Sequence, residues 1–364
     1  DKQMSQARDL ADLGSSAEQG TITGENLIIN GDMTVSQRGT SETGVTTGGY
    51  KQAPDRHIVL MSGMGTWTMS QSTDAPSGFS NSYKWDCTTA DASPAAGDYI
   101  ILAQRIEGQN LQHLKKGTAD AKSVTASFWV KSAKTGTYIL ELYDNDNTRS
   151  ISKSYTISSA DTWEYKKITF EGDTTGTLDN DNSQSFVLGW WLGAGSTFTS
   201  GTLATSWESN TNANRAVGVV NLADSTSNDW YITGVKLEVG STATPFKHET
   251  YAENLRKCHR YFRKSEHLSG AGYQSFGSAS AFGTTAASGS LYYVHMRTNP
   301  TLAQSGGNLY GAGGNHAISA LSTSYFGTER AFVNITSSGL TSGYGYNWCG
   351  NNNTAAYVTM DAEL

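Results

Sequence analysis

The strongest constraint on this chain is a period of two that recurs with no helical period between its repeats. In VTASFWV, residues 124–130, Val124, Ala126, Phe128 and Val130 alternate with Thr125, Ser127 and Trp129. That is the pattern of a strand with one face turned inward. TYILELY at 137–143 repeats it, with Tyr138, Leu140 and Leu142 on one side, and WEYKKITF at 163–170 and SFVLGWWL at 185–192 continue the series. Between them lie AKTG, YDNDN, EGDTTG and LDNDNS, clusters of Asn, Asp and Gly that favour turns. Parallel strands would need crossover helices, for which these intervals hold no amphipathic pattern. The expected fold is all-β: an antiparallel, jelly-roll-like β-sandwich. Only 16% of the 364 residues are charged and 10% are aromatic, which agrees with many short strands and leaves too few helix formers for a bundle.

The sandwich is expected over residues 25–246. NDWYITGVKLEV at 228–239 closes it, with LIIN at 27–30 as a neighbour of that last strand. Residues 2–13 carry Met4, Ala7, Leu10 and Leu13 about every third position before Gly14, so segment 1–24 reads as the end of a helical stalk or a docked leader. Residues 247–264 read as a linking helix. Thr250 and Glu253 make a capping box, Leu255, Cys258, Tyr261 and Phe262 form one apolar stripe, and basic residues fill the last turn. Residues 265–364 are richer in Gly, Ser, Ala and Tyr and read as a smaller, Gly-rich C-terminal β domain, with strands near 290–298, 329–337 and 355–364. So thin a core would gain from being shared with sister chains.

Two segments carry a resemblance. ITGVKLEVGSTATPFKHETYAENLRKCHRYF, residues 232–262, resembles a segment of tail fibres and related appendages of tailed bacteriophages, typically ITGVQLEVG followed by ATPFEHR and CQRYY. LIINGDMTVSQRGT at 27–40, with PDRH at 54–57, is similar to the opening NLLINGDF, QRG and DRW of the same modules, His57 standing where the family usually has Trp. After residue 264 only the closing DAEL, residues 361–364, is reminiscent of fibre C-termini. The resemblance implies a module comparable with carbohydrate-binding β-sandwiches, in a homotrimeric structural protein of the virion assembled in the host cytoplasm. Its implied partners are sister copies, other tail or virion proteins and host-surface glycan.

The formal net charge of −7 argues against a nucleic-acid backbone or an anionic membrane as partner. No apolar run approaches the roughly 20 residues needed to span a bilayer, and no signal peptide is visible. The chain begins at Asp1 without a Met, as expected of part of a longer protein. Cys87, Cys258 and Cys349 are too far apart for a zinc or redox motif and are expected to be reduced and partly buried. The seven histidines form no HExxH or comparable pattern, and no GxSxG elbow occurs. The expectation is a protein without cofactor or catalysis, a polysaccharide depolymerase with a site shared between chains being the remote alternative. Another is a capsid fibre, decoration protein or tail connector with no ligand of its own.

Two local hypotheses remain. DNDN at 144–147 and at 179–182 gathers oxygens that a calcium ion prefers, through Asp144, Asp146, Asp179 and Asp181, but neither turn has the Gly and distal Glu of an EF-hand; plain Asx turns are the other reading. GYGYNWCGNNN at 343–353 places Tyr344, Tyr346, Asn347 and Trp348 in a Gly-rich setting suited to stacking on a pyranose ring, and equally to a packed aromatic corner. Of the adjacent Trp190 and Trp191, one is expected in the core and only the other could be exposed; Trp67, Trp163 and Trp230 are expected in the core.

Overall fold

The computed structural model describes residues 24–266, 274–311 and 313–364. The helix expected over residues 2–13 lies outside these. The chain divides into two compact units, the first running to Asn254 and the second covering Leu255–Glu363.

In the first unit two antiparallel sheets face each other. One is ordered Ser41–Val45, Thr66–Ser72, Ser82–Thr89, Asp229–Val239, Val124–Ser132, Glu164–Phe170. The other is ordered Glu208–Ser209, Arg149–Ile157, Gly136–Asp144, Gln184–Ala194, Tyr99–Glu107, Ile58–Ser62, Gly49–Tyr50. The chain passes repeatedly from one sheet to the other, the jelly-roll-like arrangement that the turn-punctuated alternation predicts. Inward residues of both sheets form one core in which Trp67, Trp85, Phe128, Trp190 and Trp230 are buried. Phe128 meets Trp190 edge to face across the sandwich at 5.6 Å, the geometry aromatic quadrupoles favour.

Trp191 is buried as completely as Trp190, against the expectation for adjacent strand residues. Residues 195–220 supply the reason. They fold over the outer face of the second sheet, where Phe198 and Ala216 pack on Trp191 and Ile139. The Arg215 guanidinium lies 5.0 Å from the Trp191 ring and is held there by Glu141, which accepts from Arg215 Nε at 2.7 Å and from Trp191 Nε1 at 3.1 Å. Trp163 also departs from expectation. It is only half-buried, on the outer side of the first sheet, with Nε1 donating to Asp74 at 3.1 Å and its ring 6.1 Å from Tyr231.

The two segments that carry the phage resemblance meet in this unit. Residues 27–31 run beside Asp229–Val239 as turns rather than as the expected strand, with Leu27 N donating to Leu237 O and Val235 N to Gly31 O, both at 2.8 Å. A Cβ on Gly31 would sit 2.0 Å from Val235 O, so only glycine permits the approach. Asn254, on the helix Tyr251–His259, donates to Asn30, Asp32 and Thr34 at 3.2, 2.9 and 3.1 Å. The buried Asp55 carboxylate accepts from Gln37 N and Nε2. Asn, Asp and Gln at these motif positions thus satisfy one another in a buried joint, where an unpaired polar group would be costly.

The capping box forms as expected: Glu253 N donates to Thr250 Oγ1 at 3.3 Å, and Thr250 N to Glu253 at 3.0 Å. The helix ends at His259, earlier than the apolar stripe predicts. Phe262 already opens a strand, Phe262–Glu266, paired with Tyr357–Asp361.

The second unit is antiparallel throughout. A short sheet is ordered Phe262–Glu266, Tyr357–Asp361, Thr301–Ser305. A longer seven-stranded sheet is ordered Gly314–Ala317, Asn308–Gly311, Gly345–Cys349, Ser275–Ala281, Ala286–Tyr292, Arg330–Thr336, Ala320–Phe326. Leu291, Met296, Leu309, Val333, Ile335, Tyr346, Trp348, Val358 and Met360 form its core, eked out by alanines. Among the described residues no helix is long and apolar enough to cross a membrane.

Candidate functional site

The long sheet of the second unit has one buried face and one open face, as two of its central strands show. Arg330–Thr336 buries Ala331, Val333 and Ile335 and turns Arg330, Phe332, Asn334 and Thr336 outward. Ala286–Tyr292 likewise buries Ala287, Gly289 and Leu291 and leaves Ser288, Ser290 and Tyr292 on the open side.

Register then assembles a single row across all seven strands. Asn315 pairs with Tyr310, Tyr310 with Asn347, Asn347 with Ser278, Ser278 with Ser290, Ser290 with Phe332, and Phe332 with Tyr325. The last member depends on a bulge. Between Thr323 and Tyr325 the pairing shifts by one residue, and Ser324 is the extra one, its hydroxyl accepting from Asn334 Nδ2. A bulge re-aims the residues after it. Tyr325 therefore stands on the same side as Phe332, the more exposed of the two at 76% against 40%.

Beside this row Tyr292 lies directly opposite Arg330 and is 70% exposed. Ser290, Tyr292, Tyr325, Gly327, Arg330 and Phe332 line an open cleft of about 490 Å³. That volume falls within the roughly 300–1,000 Å³ of small-molecule sites. Large rings left in water, set among hydroxyls and amides on rigid strands, are the equipment for stacking on a sugar while orienting its hydroxyls.

The four residues that sequence put forward as a sugar site are divided by the same alternation. Gly345–Cys349 is a strand, so Tyr346 and Trp348 face the core, both buried, and neither ring offers a face to a ligand. Tyr346 Oη also accepts from Thr341 N at 2.8 Å. The pair sits as a packed aromatic corner. Tyr344 is exposed in the preceding turn, and Asn347 belongs to the open-face row. Tyr292, Tyr325, Phe332 and Arg330 were missed. Phe332 on the polar side of ERAFVNITS was the available signal.

Three of the four candidate calcium ligands, Asp144, Asp146 and Asp181, accept hydrogen bonds from the chain, and Asp179 is exposed and takes part through its backbone N–H. Asp144 Oδ1 accepts from the backbone of Asp146 and Asn147 at 3.0 and 3.1 Å, Asp146 accepts from Asp179 N, and Asp181 from Ser183 N. The Asp144 and Asp181 contacts are Asx turns, and the Asp146 contact ties the two turns together. The cation beside them is the protein's own: Lys116 Nζ lies 2.6 Å from Asp144 and 3.1 Å from Asp173 and donates to the carbonyls of Thr175 and Gly176 at 2.8 and 2.9 Å. Although burial opposes it, Arg149, Thr175 N and Lys116 together hold the Asp173 carboxyl below the usual carboxylate range. Among the described residues no three His, Cys, Asp or Glu side chains gather as a metal set. The three cysteines are buried and form no disulfide, and burial pushes the Cys87 thiol up to about 11.

No family model and no curated protein matches the sequence. Among solved structures, the chain is similar to the enzymatically active domain of tailspike protein 4 of bacteriophage CBA120, at 14% identity over 59% of this chain and 21% of that one, with a TM-score of 0.30. It spans, that is, about a fifth of the tailspike chain. It is also similar to a family 11 carbohydrate-binding module from Clostridium thermocellum in complex with a β-1,3-1,4-mixed-linked tetrasaccharide, at 10% identity over 58% of this chain and 99% of that one, with a TM-score of 0.27. A family 30 carbohydrate-binding module matches at 10% identity over 62% of this chain and 98% of that one, with a TM-score of 0.28. Scores of this size do not establish shared binding.

Proposed function

We propose that this protein is a non-enzymatic component of a tailed-phage virion, a homotrimeric tail fibre that binds host-surface glycan through its C-terminal unit. The observation that carries the binding half is the open face of the long sheet, where Tyr292, Tyr325 and Phe332 stand exposed among Ser, Asn and Arg side chains. Ser288, Ser290, Asn334 and Asn347 share that face, and their hydroxyls and amides suit a polyhydroxylated ligand. The virion half rests on the LIINGDM…QRG and ITGVKLEVG…CHRYF segments, which resemble phage appendage modules and lock together in the buried joint described above. Each single site would be weak, and three copies on one fibre make it useful, because linked sites raise apparent affinity by factors of about 10²–10⁴. No cofactor, nucleic acid or membrane insertion enters this reading.

The test is binding of the purified protein to host cells and extracted envelope polysaccharide, alongside Tyr325→Ser and Phe332→Ser, with mass in solution measured by sedimentation. Loss of binding in both variants at unchanged mass supports the reading. Loss of the oligomer in the variants would mark the face as a subunit interface instead, and release of reducing ends by the wild type would mark the protein as an enzyme.

A further inference from the structure

Between residues 274 and 363 the sequence holds two Lys or Arg side chains, Arg297 and Arg330. Arg297 is committed: its Nε donates to Ala362 O at 2.8 Å and its Nη2 to Glu363 O at 2.9 Å. Arg330 is exposed, lines the cleft, and makes no side-chain hydrogen bond, ion pair or ring contact among the described residues. The adjacent carboxylate, Glu329, sits 3.4 Å from His295 Nδ1, which also lies 3.2 Å from Thr328 Oγ1. A guanidinium is thus left unneutralised opposite Tyr292, two residues along its strand from Phe332, the residue opposite Tyr325.

Resting on the glycan reading above, we infer that the cleft selects a sugar carrying an anionic group of paired oxygens, a carboxylate or a phosphate, which Arg330 engages while Tyr292, Tyr325 or Phe332 stacks on the ring. The guanidinium fork matches such oxygens two at a time, a geometry that neutral hydroxyls do not offer. One cation implies one charged group at the site rather than a polyanion. The charge distribution fits: Leu255–Glu363 holds seven Lys or Arg against four Asp or Glu, so the chain's net −7 is carried by the first unit and the second is basic. An acidic sugar is attracted locally, and an extended polyanion is repelled by the rest of the molecule.

The experiment uses immobilised multivalent conjugates in matched pairs: sialyllactose against lactose, glucuronoside against glucoside, and mannose 6-phosphate against mannose. Full-length protein and Arg330→Gln are compared on all six by surface plasmon resonance, at low salt and at 0.5 M salt, a concentration at which the Debye length is only about 4 Å. The expected result is at least one pair in which the wild type favours the acidic member by about tenfold, as one charge-assisted contact provides. That preference shrinks in high salt and falls to about one in Arg330→Gln, the acidic-to-neutral ratio being read within each pair for each protein separately. Which pair responds distinguishes carboxylate from phosphate. Equal binding of acidic and neutral members by the wild type, or a preference that survives in Arg330→Gln, overturns the anionic selection and leaves the glycan reading standing. Wild-type protein of native circular dichroism that binds none of the six and no host polysaccharide overturns both.

Discussion

His57 should make the first unit sensitive to mild acid, and the size of the effect follows from its surroundings. The imidazole is buried, its Nδ1 lies 3.0 Å from Asp55 O, and its Nε2 is 3.5 Å from Gln104 Nε2. Burial, opposed by the Asp55 carbonyl and assisted by the charge on Arg56, pushes its pKa from 6.5 down to about 4. The folded state therefore refuses a proton that the unfolded chain accepts, so stability is complete above pH 6.5 and is lost as pH falls from there towards 4. A shift of this size corresponds to about 3 kcal/mol in all, of which about 2 kcal/mol is lost between pH 7 and pH 5. The perturbation is His57→Asn, whose amide nitrogen takes the place of Nδ1 towards Asp55 O and does not titrate. Urea unfolding followed by tryptophan emission suits the measurement, because eight of the nine Trp residues lie before residue 254. His113 and His259, whose pKa values burial also lowers, are common to both proteins and cancel in the difference. The gap between wild type and variant should change by about 2 kcal/mol across that interval, the wild type losing more. Parallel pH profiles would show that the buried imidazole does not control acid stability.

Three further outcomes follow from the packing. Gly31→Ala places a methyl group against the Val235 carbonyl and should cost about 3 kcal/mol, read as a lower urea midpoint at unchanged slope. Lys116→Met removes the cation between Asp144 and Asp173 and should cost about 3–5 kcal/mol, whereas millimolar calcium should leave the wild-type melting temperature unmoved because the ammonium fills the position. Trp348→Ala should cost about 3–5 kcal/mol in the second unit as a core truncation, and Tyr325→Ala less than about 0.5 kcal/mol while removing glycan binding; the opposite pattern would restore the Tyr346–Trp348 segment as the site.

How much of this was legible in the sequence depended on whether parity along a strand sufficed. For the sandwich it did, since Val124, Ala126, Phe128 and Val130 enter the core between the sheets, while Thr125 and Ser127 on the other side of the strand are buried as well and Trp129 only in part. Trp191 defeated it because burial on the outer face comes from residues 195–220, a long-range covering that no local period records. LIIN was placed beside the correct strand, but Gly31 and the Asn26 side chain, which donates to Val235 O, hold it as a turn. For the site, residue type misled where register decided. Tyr346 and Trp348 looked like a binding pair because they sit among glycines, yet their even spacing in a strand sends both inward with Asn347 between them facing out. The same rule, applied to ERAFVNITS, would have singled out Phe332 as an aromatic on a polar face. It could not have found Tyr325, because the shift at Ser324 reverses the parity of the residues after it. Insertion or loss of a single residue at such a shift re-aims Tyr325, while Val333 and Ile335 belong to the core on the opposite side of the sheet.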